Sequence, residues 1–229
     1  MPSTRKQMMF LVGSLGSLAA LLIVTSSLAT QDWIASEIDC KNNSGPGTGK
    51  LEMSFGLFTG DGERSSCPYF ADKFTITVLK VVNEGTTSGP LHALVVTFLA
   101  VSIFCSLCSF GTSAYNVFSN PYETYLGPIG VYVWSSISGV LLLLAIIFFV
   151  ANAELNNLSL DVAKTSVIGL PEIKVKKNVF GYSYYILIVA VVCNVVSVVV
   201  ISIYQHAKYT YTKEQQRPTE NAPKEVMMY

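Results

Sequence analysis

Four stretches of the chain hold no Asp, Glu, Lys or Arg: residues 7–31, 85–122, 124–153 and 178–207. Each contains an apolar core long enough to cross roughly 30 Å of hydrocarbon as a helix, which takes about 20 residues. The pattern predicts membrane spans over 8–29, 91–117, 129–151 and 182–204. Between them lie a short leading segment (1–7), a long first loop (30–90), a short connection (118–128), a second loop (152–181) and a tail (205–229).

The first loop is too long to be a simple connection. Residues 50–57, from Lys50 to Leu57, alternate polar and apolar, which is the signature of a half-buried strand. Residues 73–78 alternate again and are rich in β-branched and aromatic side chains. Residues 33–40 alternate less cleanly. Two clusters between these runs, Ser44-Gly45-Pro46-Gly47 and Gly60-Asp61-Gly62, read as turns. In the second loop, residues 173–176 form a short candidate fifth strand. The expected fold is an all-α membrane architecture: four transmembrane helices in a bundle, carrying a small extracellular antiparallel β-sheet.

Composition sharpens this. Hydrophobic residues make up 51% of the 229 and charged ones only 13%, about half the share of an ordinary soluble domain. The formal net charge is zero, so no basic surface points to nucleic acid. Arg5 and Lys6 precede the first apolar run as they would in a signal peptide, with Ser27-Leu28-Ala29 as a loose cleavage site. The run exceeds the 7–15 residues of a signal-peptide core, which favours a retained helix.

Four spans put both termini on one side. Arg5 and Lys6 favour a cytoplasmic amino terminus, and Lys208, Lys213, Arg217 and Lys224 add positive charge to the tail on that side. Lys174, Lys176 and Lys177 oppose the rule, because they fall in the second outer loop close to the last span. The loops support the same orientation. Asn42-Asn43-Ser44 and Asn157-Leu158-Ser159 are glycosylation sequons, and both would lie outside. Asn157 is the poorer acceptor, being close to the third span. Cys105, Cys108 and Cys193 lie inside apolar spans and read as packing residues. Cys40 and Cys67 are the only cysteines of the first loop, and in an oxidising compartment a disulfide between them is the natural reading.

Catalytic and cofactor signatures do not appear. The spans carry no ionisable Asp, Glu, Lys or Arg, which argues against a coupled carrier or pump. His92 and His206 stand at opposite ends of different helices, without metal-site spacing. Asp61-Gly62-Glu63 lacks the rest of a calcium loop and reads as a solvated turn. The expectation is a non-enzyme with no cofactor.

Trp33 just after the first span, then Gly56-Leu57-Phe58 and a loop cysteine, resemble the first outer loop of claudin-like tetraspan proteins. There the motif reads W, GLW, C, C. Here Phe58 replaces the second tryptophan and Asp61 stands in place of the first cysteine, with Cys40 lying earlier. The clarin family is a closer match. Phe55 to Phe58, Asn120-Pro121-Tyr122-Glu123-Thr124, Gly127-Pro128-Ile129-Gly130-Val131-Tyr132 and the terminal Tyr229 look like clarin sequence. Phe149-Val150-Ala151-Asn152, Gly181-Tyr182-Ser183 and Tyr204-Gln205-His206 are most similar to the third branch of that family. The resemblance implies a four-helix membrane protein without known catalysis. Better-studied relatives are associated with hair-bundle and synaptic organisation in sensory hair cells.

These readings converge on a multi-pass plasma-membrane protein, both termini cytoplasmic, that organises or accompanies other membrane proteins. An auxiliary subunit of an ion channel is one alternative, and a pore or paracellular channel-former is another. The expected partners are the lipid bilayer and other membrane proteins. Stripes of small residues such as Gly13, Gly16 and Ser17 serve packing within one chain and association between chains equally, homo-oligomers included. The last residues place apolar Met227 and Tyr229 on a free carboxylate, which fits a PDZ-domain groove. A solvated, disordered tail is the competing reading.

Overall fold

The computed structural model describes residues 4–41, 48–65, 72–118, 126–167 and 173–215. Cys67, Asn42, the 120–124 motif, Met227 and Tyr229 lie outside the described residues. Four long helices cover the four charge-free stretches: α1 (Thr4–Ala29), α3 (Gly89–Phe118), α4 (Pro128–Glu154) and α6 (Tyr182–Gln215). All four are long and apolar enough to cross a membrane. Their ends run past the apolar cores, because backbone hydrogen bonding continues into polar sequence after the hydrocarbon-matching segment stops. α6 therefore carries Lys208 and Lys213 on a helix that extends beyond the expected span.

The helices close a ring in which α1 packs on α3 and α6, and α4 packs on α3 and α6. Small and hydroxylated residues line the contacts. Ser17 Oγ lies 2.9 Å from Ser109 Oγ, which lies 2.6 Å from Ser135 Oγ, so one chain of hydroxyls ties α1, α3 and α4 together. Ser106 and Ser138 pair at 2.8 Å between α3 and α4. Ser197 of α6 donates to the Gly13 carbonyl of α1 at 3.2 Å. Gly13 and Gly16 let α6 approach: a side chain on Gly16 would lie 3.3 Å from the Cys193 carbonyl. Lipid gives helices no hydrophobic reason to associate, so close approach and interhelical hydrogen bonds perform that role.

Five antiparallel strands form one sheet at the end of the bundle opposite the described chain ends. They are β1 (Ile34–Lys41), β2 (Thr48–Phe55), β3 (Thr59–Ser65), β4 (Asp72–Thr77) and β5 (Ile173–Phe180), ordered β4-β3-β2-β1-β5. Both loops therefore contribute to one sheet, with β5 beside β1. Ile34, Ile38, Cys40, Leu51, Met53, Phe55 and Ile76 face inward and are continuous with the bundle core of Val24, Leu99, Leu142 and Phe149. One core spans both layers.

The structure departs from the sequence reading in four places. Gly60-Asp61-Gly62 is not a turn but lies within β3. Its glycines point inward, where the Phe55 backbone and the Phe74 ring occupy the space a Cβ would need. β5 continues to Phe180, beyond the expected residue 176. The second loop also contains an amphipathic helix, α5 (Leu158–Ser166), which buries Leu158, Val162 and Ala163 in the core. A four-residue helix, α2 (Lys80–Asn83), leads from the sheet into α3.

The sheet also gives Lys174, Lys176 and Lys177 of the second loop their partners. Lys174 pairs in register with Asp39, and Lys177 with Glu37. Lys176, at a register shift, lies 3.8 Å from the Glu37 carboxylate. These charges complement β1 and guard the exposed edge of β5 against pairing with another strand.

Candidate functional site

The motif residues Trp33, Gly56 and Leu57 meet where the sheet joins the bundle. Trp33 lies between the end of α1 at Ala29 and the start of β1 at Ile34, and is fully buried. Its indole Nε1 donates to the Ser27 carbonyl at 2.8 Å. That carbonyl is in the last turn of α1 and has no acceptor role left within the helix, so the indole caps it. Thr30 Oγ1 donates to the same oxygen at 2.9 Å. The Trp33 ring meets Phe149 of α4 edge-on, with centroids 4.9 Å apart. The Trp33 backbone accepts from Gly181 N–H at 2.9 Å and donates to the Phe55 carbonyl at 3.2 Å. One residue thus joins α1, α4, β2 and the end of β5.

Gly56 is there because nothing larger fits. A Cβ at this position would run into the Thr30 carbonyl oxygen, with Gln31 Cα at 3.0 Å behind it. The obstacle is backbone and cannot rotate away. Leu57 is fully buried, and its carbonyl takes a 2.9 Å hydrogen bond from Nε2 of His92. A carbonyl can only accept, so the Nε2–H tautomer is the one present. His92 Nδ1 has no hydrogen-bond partner among the described residues. Phe58 is 36% exposed and stands outside this joint.

A second polar joint holds α5. The Asp161 carboxylate accepts from Ser88 Oγ at 2.6 Å and from Ser88 N–H at 3.3 Å. Asn152 of α4 donates to the Ser88 carbonyl at 3.1 Å. Ser159 lies 2.7 Å from Ser36 Oγ of β1 and donates to Asn178 Oδ1 of β5 at 3.1 Å. Loop two is thereby fixed to loop one at Ser36 and Ser88, and Ser88 in turn to α4.

Of the residues singled out from sequence, Trp33, Gly56 and Leu57 come together and Phe58 does not. Asn157 is exposed and precedes α5 in the left-handed conformation (φ 52°), while its sequon partner Ser159 is buried. Cys40 is buried on β1 and is not among the free thiols, which are Cys105, Cys108 and Cys193. The sequence reading missed His92, Ser88, Asn152 and Asp161 as a connecting set. The available signal was a histidine near the start of an apolar span, since a polar group buried there needs a partner. Among the described residues no three His, Cys, Asp or Glu converge as a metal site.

The sequence profile of the family described as Clarin-2-like matches residues 5–201. Human Clarin-3 is 33% identical over 230 residues, covering 100% of both chains. The chain belongs to the clarin family. Clarin-3 of Mus musculus is 35% identical over 231 residues, again covering 100% of each chain. Human Clarin-1 is 32% identical over 171 residues, covering 71% of this chain and 73% of that one. The clarin assignment and the four apolar helices make this a multi-pass membrane protein, and the joint described above is how this clarin sets its sheet on its bundle.

Proposed function

We propose that this clarin is a non-enzymatic plasma-membrane protein that organises or accompanies other membrane proteins, holding an extracellular sheet as a fixed contact surface. The observation that carries this reading is the joint of Trp33, Gly56, Leu57 and His92, which ties the sheet to three spans. Rigid attachment of that kind suits a surface that must meet a partner in one orientation. Service as an auxiliary subunit of an ion channel is a special case of the same role. A pore through the single bundle has less support, because Phe10, Val24, Leu99, Leu142 and Phe149 fill its interior with no exposure. Purified from native membranes in two different mild detergents, the protein should retain a defined membrane protein at a fixed ratio. Recovery of this chain alone in both would contradict the proposal.

In this reading both termini are cytoplasmic, which the basic Arg5 and Lys6 support. The disulfide partner of Cys40 is Cys67, within the oxidising compartment. Asn42 carries the glycan, since Asn157 stands close to the end of α4 and its Ser159 is locked in hydrogen bonds. Asn42→Gln should abolish the gel-mobility change on glycosidase treatment, and Asn157→Gln should leave it. The reverse result would mean that the third span ends earlier than described.

A further inference from the structure

Outward-pointing residues of all five strands line one open trough of about 600 Å³ on the solvent-facing side of the sheet. Two rungs of side chains cross it in register. The charged rung reads Lys177, Glu37, Glu52, Glu63, Lys73 from one edge to the other. The rung nearer the bundle contributes apolar Ala35 and Val179, with Asp61 as its one charge.

Glu52 therefore has a glutamate directly opposite on each side. Like charges at directly opposed positions destabilise a sheet. The outer two glutamates have cations within reach: Lys176 lies 3.8 Å from Glu37, and Lys73 lies 4.0 Å from Glu63. The Glu52 carboxylate has no ion pair or hydrogen bond among the described residues. A cation seated over Glu52 would meet the one carboxylate of the row that has no lysine within reach, with Glu37 and Glu63 on the neighbouring strands.

We infer that this trough is the docking surface for an extended segment of a partner protein that places an arginine or lysine over Glu52. The inference rests on the accompanying role proposed above and names the surface that role uses. Strands spaced about 4.8 Å apart make the trough roughly 19 Å wide, which an extended chain of about six residues crosses. The lysines at both rims favour a segment whose positive charge is central. An arginine there can bind carboxylate oxygens through two parallel N–H donors.

The test uses the full chain in lipid nanodiscs and two fluorescent threonine-rich hexapeptides, one with two central arginines and one with two central glutamates. The arginine peptide should bind saturably and the glutamate peptide should not. Glu52→Lys should weaken arginine-peptide binding by about tenfold or more, and Glu52→Gln by less. Glu84→Lys, an exposed reversal outside the trough, should leave it unchanged. No saturable binding by the arginine peptide would overturn the inference, as would equal loss in Glu84→Lys. A sodium conductance abolished by Glu52→Lys without peptide binding would also overturn it, by making the trough an ion path. Glu52→Gln keeps the test decisive should the reversal misfold. Failure here with a partner still retained on purification would remove the trough and leave the accompanying role standing.

Discussion

Trp33→Ala should lower stability by about 3–5 kcal/mol, the range for deleting a large buried aromatic. The side chain is fully buried, touches Phe149 edge-on and caps the Ser27 carbonyl. Its loss opens a cavity at the joint and leaves that carbonyl with Thr30 alone. Trp33→Phe should cost less, because a ring remains against Phe149 while the indole donor is lost. Thermal unfolding in detergent, read at β1 and at the middle of α3, should show the sheet loosening before the spans. A loss of less than about 1 kcal/mol would place Trp33 outside the range for buried residues and refute its role as the joint.

Gly56→Val should be comparably damaging for the opposite reason. Two branches at Cβ would be driven into the Thr30–Gln31 backbone, with Gln31 Cα only 3.0 Å from the first added atom. Overpacking usually costs about 1–3 kcal/mol, and more where the neighbour cannot rotate away. The end of α1 would have to shift, and with it Trp33. Gly56→Ala should show the same defect in milder form. Surface delivery of both variants, compared with a valine at the freely accommodating Gly111, measures the effect. Nothing lies within contact of a side chain at Gly111, so that control should be nearly silent. Equal delivery of all three would sink the steric argument.

Much of the fold was legible because the membrane forces it. A charge-free stretch of span length has few alternatives to a transmembrane helix. Strands β2 and β4 were legible from alternation, since one face meets the core and the other meets water. β3 was hidden because Thr59–Ser65 buries glycines rather than large side chains, so its inward positions look like turn residues. What makes them strand positions is the Phe74 ring over Gly62 and the Phe55 backbone beside Gly60, which are tertiary facts. α5 was hidden because it is short and depends on core contacts and on Asp161 reaching Ser88.

The candidate site divided in the same way. Trp33, Gly56 and Leu57 were visible as a motif, but nothing in the sequence showed them to be one joint. His92 acquires its meaning only from the Leu57 carbonyl, 35 residues away in the chain. The trough also depends on register. Glu37, Glu52, Glu63, Lys73 and Lys177 look like scattered surface charges until five strands bring them into one row.

The central claim is that strands from two separate loops form one body fixed to the bundle. Hydrogen–deuterium exchange of the full chain in nanodiscs tests it most directly, by comparing the amides of Ile34–Lys41 with those of Ile173–Phe180. The interior ladder amides of the two strands should be protected to a similar degree, and Trp33→Ala should release both together while the middle of α3 stays protected. If β5 in the unaltered protein exchanged orders of magnitude faster than β1, or if Trp33→Ala released one strand without the other, the two loops would not form one body.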